Sequence, residues 1–186
     1  MERENKRQLF HILIGLVVMM VISYLGRGMA MGMVFFTIII GLAIMNTRLL
    51  GKRNSLMKVV AWFENNFERN GAPLPGWGSA CYATGILIAI TILVDQNEIM
   101  AIIMLLALGD GFSTLIGRHG KIRLPHNNKK TLEGSIAFVI AAMPAYFFIG
   151  PLAIPLVILG AIIETLPLID DNLMIPIIAT AFLVIF

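Results

Sequence analysis

One cysteine, Cys81, stands alone in 186 residues. That excludes an internal disulfide and offers no thiolate metal site. The three histidines, His11, His119 and His126, lack metal-ligand spacing, so no imidazole centre is expected. Charged residues are only 13% of the chain, about half the share usual in soluble domains. No Gly-x-x-x-x-Gly-Lys-Ser/Thr loop occurs, which excludes a P-loop nucleotide site. No Ser-His-Asp or Cys-His set falls on one side of the chain, and no potassium-type selectivity filter is present.

What is abundant is apolar sequence, at 58% of the residues. Continuous apolar runs of about 14–20 residues recur from end to end, and a spanning helix needs about 20. Continuous runs mean helices, whereas a barrel would alternate. The expected fold is an all-α, polytopic membrane protein in one domain, residues 1–186. About seven spans are read at 9–25, 29–45, 79–94, 99–116, 135–149, 152–165 and 173–186. The last is short, about 21 Å of helix against a core of about 30 Å. The start of the chain resembles a signal peptide. No small-x-small cleavage site follows Tyr24-Leu25-Gly26, so a retained first helix is expected.

With the N-terminus in the cytoplasm, thirteen Lys and Arg residues fall inside and only Arg27 outside. The acidic segment Asp95-Gln96-Asn97-Glu98 then becomes an outer loop, and the C-terminus lies outside. That asymmetry fixes the expected orientation. Residues 56–70 read as an amphipathic helix lying in the cytoplasmic interface. Val59, Val60, Phe63 and Phe67 share one face beside Trp62, while Lys58, Glu64, Asn65 and Glu68 lie away from it. Gly71-Ala72-Pro73-Leu74-Pro75-Gly76-Trp77-Gly78 breaks that helix and re-enters the membrane.

The polar residues left over converge on one membrane face. Asp110 lies inside the fourth span, where an ionisable group costs roughly 2.5–3.5 kcal/mol and is functional by default. Glu133 opens the fifth span, Glu164 ends the sixth, and Asp170-Asp171-Asn172 precedes the seventh. Arg118, Lys121, Arg123, Lys129 and Lys130 fill the loop between the fourth and fifth spans. Carboxylates suited to Mg²⁺ thus meet cations suited to phosphate at head-group depth. Each element also has an ordinary reading. The cations can simply obey topology and hold anionic lipid, and Gly117 and Gly120 can form a plain helix end. Asn128 or Thr131 can serve as a helix cap, and Asp170-Asp171-Asn172 can be a turn. A CDP-alcohol phosphotransferase needs further aspartates soon after Asp110-Gly111, but the next acid is Glu133.

Asp110, Gly117 and Gly120, followed after eight residues by Lys129-Lys130-Thr131-Leu132-Glu133-Gly134, resemble the hallmark of the polyprenol kinases. That family comprises dolichol kinase, phytol kinase and the CTP-dependent diacylglycerol kinase. A second block, Glu164-Thr165-Leu166-Pro167 with Asp171-Asn172-Leu173-Met174-Ile175-Pro176, is also similar, as is Leu74-Pro75-Gly76-x-Gly78. The likeness covers roughly residue 61 to the C-terminus, with the kinase-like region at 60–186. The first two spans match only in hydropathy. Ser113 stands where the family usually has alanine, a small change expected to be tolerated. The Gly117 to Gly120 spacing is one residue short.

The resemblance implies transfer of the γ-phosphoryl group of CTP, or another nucleoside triphosphate, to the hydroxyl of a membrane isoprenoid alcohol or similar lipid. It implies Asp110 and Glu133 as Mg²⁺ ligands. Lys129, Lys130 and Arg118 would cradle the phosphates, with Gly117, Gly120, Thr131 and Gly134 around them. Asp171, with Asn172, would orient or deprotonate the alcohol, and Glu164 can exchange roles with it. Expected partners are the lipid alcohol, the nucleotide and the bilayer, with no nucleic acid. A membrane cytidylyltransferase making a CDP-lipid is one alternative, and it would release pyrophosphate. A small lipid or anion transporter is another, but it calls for polar groups near the midplane and on both sides.

Overall fold

The computed structural model describes residues 2–51, 55–67, 74, 76–167 and 169–186. It is nearly all-α. Helix α1 covers Glu2–Leu49, α2 Ser55–Phe67 and α3 Trp77–Ile92. Helix α4, Gln96–Met104, continues through a π-helical turn, Leu105–Asp110, into α5, Gly111–Gly117. A hairpin of β1, Arg123–Leu124, and β2, Asn127–Thr131, leads to α6, Leu132–Ala142. Short 3₁₀ turns flank α7, Tyr146–Ile149, before α8, Ala153–Thr165, and α9, Asp171–Ile185.

Among the described residues, three helical stretches are long and apolar enough to cross a membrane: Arg3–Leu49, Gln96–Gly117 and Leu132–Thr165. Helices α3 and α9 are apolar but shorter, at 16 and 15 residues. Seven separate spans were expected, and the difference lies where the sequence put boundaries. The first stretch is two helices joined across a kink at Gly26, and in the third a 3₁₀ turn, Gly150–Leu152, links α7 to α8, so neighbouring apolar runs follow one another without a loop. Each merged stretch still contains one non-helical glycine, Gly26 (φ 83°, ψ 167°) and Gly150 (φ 58°, ψ −141°). Only glycine adopts such backbone without strain.

The break at Gly26 turns the chain back. A straight α1 would separate Phe10 from Leu49 by about 58 Å, whereas the segment from Leu49 to Phe67 reaches at most about 40 Å. Yet the Phe10 and Phe67 rings lie 4.9 Å apart. The first half of α1 runs parallel to α3. Tyr82 Oη donates to the His11 carbonyl at 2.8 Å, and Arg27 donates to the carbonyls of Ile90 and Thr91 at 2.7 and 2.9 Å. Arg27 therefore caps the open carbonyls at the end of α3, the usual task of a cation there.

Helix α2 forms as expected, within 55–67. Lys58 and Asn65 are exposed and Val60 is half-buried. Trp62 is exposed and its ring meets Phe67 edge-on. The side chains of Val59, Phe63 and Glu64, and all of Glu68, Gly71, Ala72, Pro73 and Pro75, lie outside the described residues.

Phe138 of α6 is fully buried at the centre of the core. A Cβ added to Gly109 or Gly160 would come within 2.8–3.0 Å of its ring. The ring thus occupies space that two glycines leave open, and it locks α6 between the π-helical turn and α8. That junction sets Asp110 and Glu164 side by side.

Among the described residues the departure from an all-α chain is the hairpin, where a basic loop was expected. Arg123 pairs with Thr131 and Leu124 with Asn127, antiparallel, with an irregularity between the two pairs. Its turn is tied to the end of α8. Asn127 Nδ2 donates to the Thr165 carbonyl at 2.9 Å, and the His126 ring meets the Thr165 hydroxyl at 3.1 Å.

Candidate active site: an acidic cluster under a basic hairpin

Asp110, Glu164 and Asp171 come from three different helices, yet one carboxylate oxygen of each lies within 4.8 Å of the others. Asp110 and Glu164 are buried, at 5% and 1% exposure, and Asp171 is half-buried at the first turn of α9. Asp110 closes the π-helical turn. Such a turn inserts an extra residue per loop of backbone and recurs at functional sites. Asp170, the N-cap of α9, accepts from the Asn172 amide at 3.1 Å, which fixes where Asp171 starts.

Lys130 Nζ joins the cluster, 2.5 Å from Glu164 Oε1 and 2.7 Å from Asp171 Oδ2. Lys129 is exposed while Lys130 is half-buried, with its ammonium on these carboxylates. Burial by itself would push the Lys130 ammonium down. Asp171, Glu164 and Asp110 outweigh that and hold it above the ordinary lysine value. Lys130 is therefore charged throughout the neutral range. Its stabilising contribution is lost only as pH rises beyond the usual lysine range.

Glu164 Oε1 also accepts a hydrogen bond from Ser113 Oγ at 2.6 Å, and Ser113 is 2% exposed. The position noted only as a tolerated departure from alanine thus belongs to the site. Ser113→Ala is expected to cost about 1.5–3 kcal/mol, the worth of a hydrogen bond to a charged group. Activity should stay within about tenfold of the parent, because Lys130 still holds Glu164. Thermal melting and turnover of the variant check both numbers.

Above the cluster opens a cavity of about 450 Å³. Gly117, Arg118, Lys129, Lys130, Thr131, Gly134, Glu164 and Asp171 line it, with Ser113, Thr114, Asn127 and Asp170. Thr131 caps α6, its hydroxyl accepting from the Gly134 amide at 3.2 Å and donating to the Gly117 carbonyl at 3.0 Å. The α5 end, the β2 end and the α6 start therefore form one knot around the Thr131 side chain.

Three residues proposed from sequence sit elsewhere. Glu133 is not with Asp110. Its carboxylate accepts from the backbone amides of Lys121 at 2.7 Å and Ile122 at 3.2 Å, so it clamps the loop between α5 and β1. Gly120 stands against that clamp. A Cβ there would meet Thr131 Oγ1 at 2.5 Å and Glu133 Oε2 at 2.7 Å. Asn172 is buried at 4% exposure and does not line the cavity, and its Oδ1 finds no partner among the described residues. Conversely, spacing gave no sign of the π-helical turn or of the Ser113 contact. The signal for Ser113 was a small hydroxyl three residues after a membrane-depth carboxylate.

Fully ionised, three carboxylates against one ammonium leave two negative charges in surplus in a poorly solvated place. Oxygen donors at this spacing suit a hard divalent cation. The separation of two ligands across Mg²⁺ is at most about 4.2 Å, close to what the cluster already offers.

Comparison with known proteins gives a likeness of the same kind. A probable chloroplastic phytol kinase of Oryza sativa subsp. japonica is 32% identical, over 98% of this chain and 66% of its own length. An uncharacterized protein of Methanocaldococcus jannaschii is 35% identical over 113 residues, 59% of this chain and 58% of the relative. The chain thus spans less than two thirds of either relative. No family model matches, and no solved structure matches. The likeness, which runs over most of this chain and only part of the relative, supports a polyprenol and phytol kinase-like family and nothing finer.

Proposed function

We propose that the chain is a lipid-alcohol kinase. It transfers the γ-phosphoryl group of CTP, or another nucleoside triphosphate, to the hydroxyl of a membrane isoprenoid alcohol or similar lipid at the cytoplasmic face. The observation that carries this reading is that Asp110, Glu164 and Asp171 meet Lys130 inside an apolar helical body, with Glu164, Asp171 and Lys130 lining the cavity and Asp110 buried beside them. Phosphoryl transfer asks for positioning and charge neutralisation more than for covalent chemistry, and both are present.

In this reading Asp110 and Glu164 hold Mg²⁺, which when bound neutralises the charge on the β- and γ-phosphate oxygens. Glu133, assigned that role by the resemblance, instead keeps the loop above the cavity in place. Asp171 accepts the proton of the lipid hydroxyl as its oxygen bonds to the γ-phosphorus. The bond from that phosphorus to the β–γ bridging oxygen breaks, and nucleoside diphosphate leaves. Lys130, pinned between Glu164 and Asp171, keeps the two carboxylates together and faces the transferred group. Arg118 and Lys129 at the rim draw in the polyphosphate. Holding the lipid in the membrane confines its hydroxyl to this depth and supplies much of the proximity advantage. The Lys and Arg asymmetry favours an orientation with the N-terminus inside and the C-terminus outside.

The test is purified protein in lipid nanodiscs with Mg²⁺, γ-labelled CTP or ATP, and a panel of isoprenoid alcohols and diacylglycerol. Labelled lipid phosphate is expected with at least one acceptor. No labelled lipid with any of them defeats the kinase reading. Pyrophosphate release with a CDP-lipid product would identify a cytidylyltransferase instead.

A further inference from the structure

Helices α6 and α8 enclose a second cavity, opposite in chemistry to the first. It is an apolar groove of about 360 Å³ between the two helices, and it ends at the hairpin. Ser135 and Val139 of α6, with Ala161 and Thr165 of α8, make its buried or half-buried floor. Exposed isoleucines make its walls, Ile136 and Ile140 on one side, Ile158 and Ile162 on the other. Floor and wall residues each recur at four-residue spacing, so they form rows along the helices. Small floor side chains keep the trough open, and branching at Cβ stiffens the walls. From Ile158 to Thr165 the groove follows about 10 Å of helix.

The polar side chains lining the groove, Ser135, Thr165 and His126, all lie at its hairpin end. Both hydroxyls are already used within the protein. Ser135 Oγ donates to the Thr131 carbonyl at 3.3 Å, and Thr165 Oγ1 donates to the Ile162 carbonyl at 2.7 Å and meets the His126 ring. That end also borders the polar cavity. Thr165 and His126 line the groove, while their chain neighbours Glu164 and Asn127 line the cavity.

We infer that this groove holds the hydrocarbon tail of the lipid alcohol, with the hydroxyl end at the hairpin and directed to the polar cavity. Any lipid-facing surface is apolar, but this one ends beside the acidic cluster, and that continuity selects the substrate's tail as its occupant. With the groove's own hydroxyls engaged, the partners for the lipid hydroxyl lie across the hairpin turn. The tail is already in an apolar solvent, so the groove adds close packing and a fixed approach for the hydroxyl. The inference rests on the kinase reading for its ligand, but Ala161 and the isoleucines take no part in the metal or phosphate chemistry.

The experiment uses the full chain in nanodiscs and a long isoprenoid alcohol carrying a diazirine in its tail. Crosslinks mapped by mass spectrometry are read beside turnover with long and short alcohols. Labelling is expected to concentrate on the groove residues of α6 and α8 and to be competed by unlabelled alcohol. Ala161→Leu, which fills the floor, should cut that labelling and raise the KM for the long alcohol about tenfold, the scale of extra methylenes in an apolar pocket. The nucleotide KM, the kcat and turnover of the short alcohol should stay near the parent. If Ala161→Leu melts well below the parent, the wall variant Ile140→Ala with Ile162→Ala decides, with a fall in labelling and a severalfold rise in the same KM expected. Val184→Leu, on the exposed face of α9 outside the groove, should match the parent throughout. Labelling spread evenly over the lipid-facing helices, labelling that unlabelled alcohol does not compete, or crosslinks between two copies of the chain at this face overturn the inference. So does an unchanged long-alcohol KM in the deciding variant. Competed labelling of the groove without any lipid phosphate formed would sink the kinase reading and leave the tail site standing. Lipid phosphate formed with labelling elsewhere does the reverse, and neither product nor labelling sinks both.

Discussion

Asp110→Asn is expected to lower turnover about 10³-fold or more, which is about 4 kcal/mol of transition-state stabilisation. The substitution changes almost no volume, so the packing of the π-helical turn is kept. What it removes is one of three anionic oxygens in the cluster. An amide oxygen is a weaker ligand for a hard divalent cation, and its NH₂ group would face Glu164 and Asp171 as a donor. The fold should not suffer. Three carboxylates crowd one ammonium, so removing one negative charge relieves repulsion in the metal-free protein. The melting temperature without Mg²⁺ is expected at or above that of the parent, and the gain in melting temperature on adding Mg²⁺ should shrink. Lipid phosphate formation and melting curves with and without Mg²⁺ check this together. Turnover close to the parent would show that Asp110 does not hold the metal.

Several features of this molecule were readable from single residues because membrane depth makes them costly. Asp110 declared itself, since an apolar residue would be cheaper there, and the structure brings it to Glu164 and Asp171. Span boundaries were legible at Gly26 and Gly150, but their number was not. A single glycine of non-helical backbone joins two apolar helices with no intervening loop, and composition does not show which apolar runs stay joined. The grouping of acids was legible only in outline. Glu133 and Asp171 carry the same chemistry in the sequence, and only packing separates them. Glu133 falls on the side of α6 that meets the loop amides of Lys121 and Ile122. Asp171 begins a helix that the Asp170 cap aims at the cluster. Lys129 and Lys130 are likewise equivalent until the hairpin forms and brings the Lys130 ammonium onto Glu164 and Asp171. The hydrogen bond from Arg118 to Asn5 Oδ1 was invisible, because the two are distant along the chain and no motif spans them.

Lys130→Met should have the second large effect, and its dependence on Mg²⁺ is the informative part. The ammonium contacts Glu164 and Asp171 at once and lies among three carboxylates. Methionine keeps most of the stem's volume but leaves those acids without their cation. Breaking a buried ion pair by removing one partner typically costs about 3–5 kcal/mol, since the remaining charge stays desolvated. Lys130 is partly open to the cavity, so about 2–3 kcal/mol is expected here after screening. In the absence of metal the variant should melt several degrees below the parent. With Mg²⁺ the two should converge, because a divalent cation supplies the positive charge that the substitution removed. Turnover is expected to fall about a hundredfold even at saturating Mg²⁺, since charge developing on the transferred group loses a fixed cation. Lys130→Arg tests the geometry. It restores charge, but its planar fork cannot occupy the point between two carboxylate oxygens that an ammonium fills. It should therefore recover stability more fully than turnover. A Lys130→Met protein whose melting temperature ignores Mg²⁺ would mean that the acidic cluster is held by lysine alone and does not take up the metal.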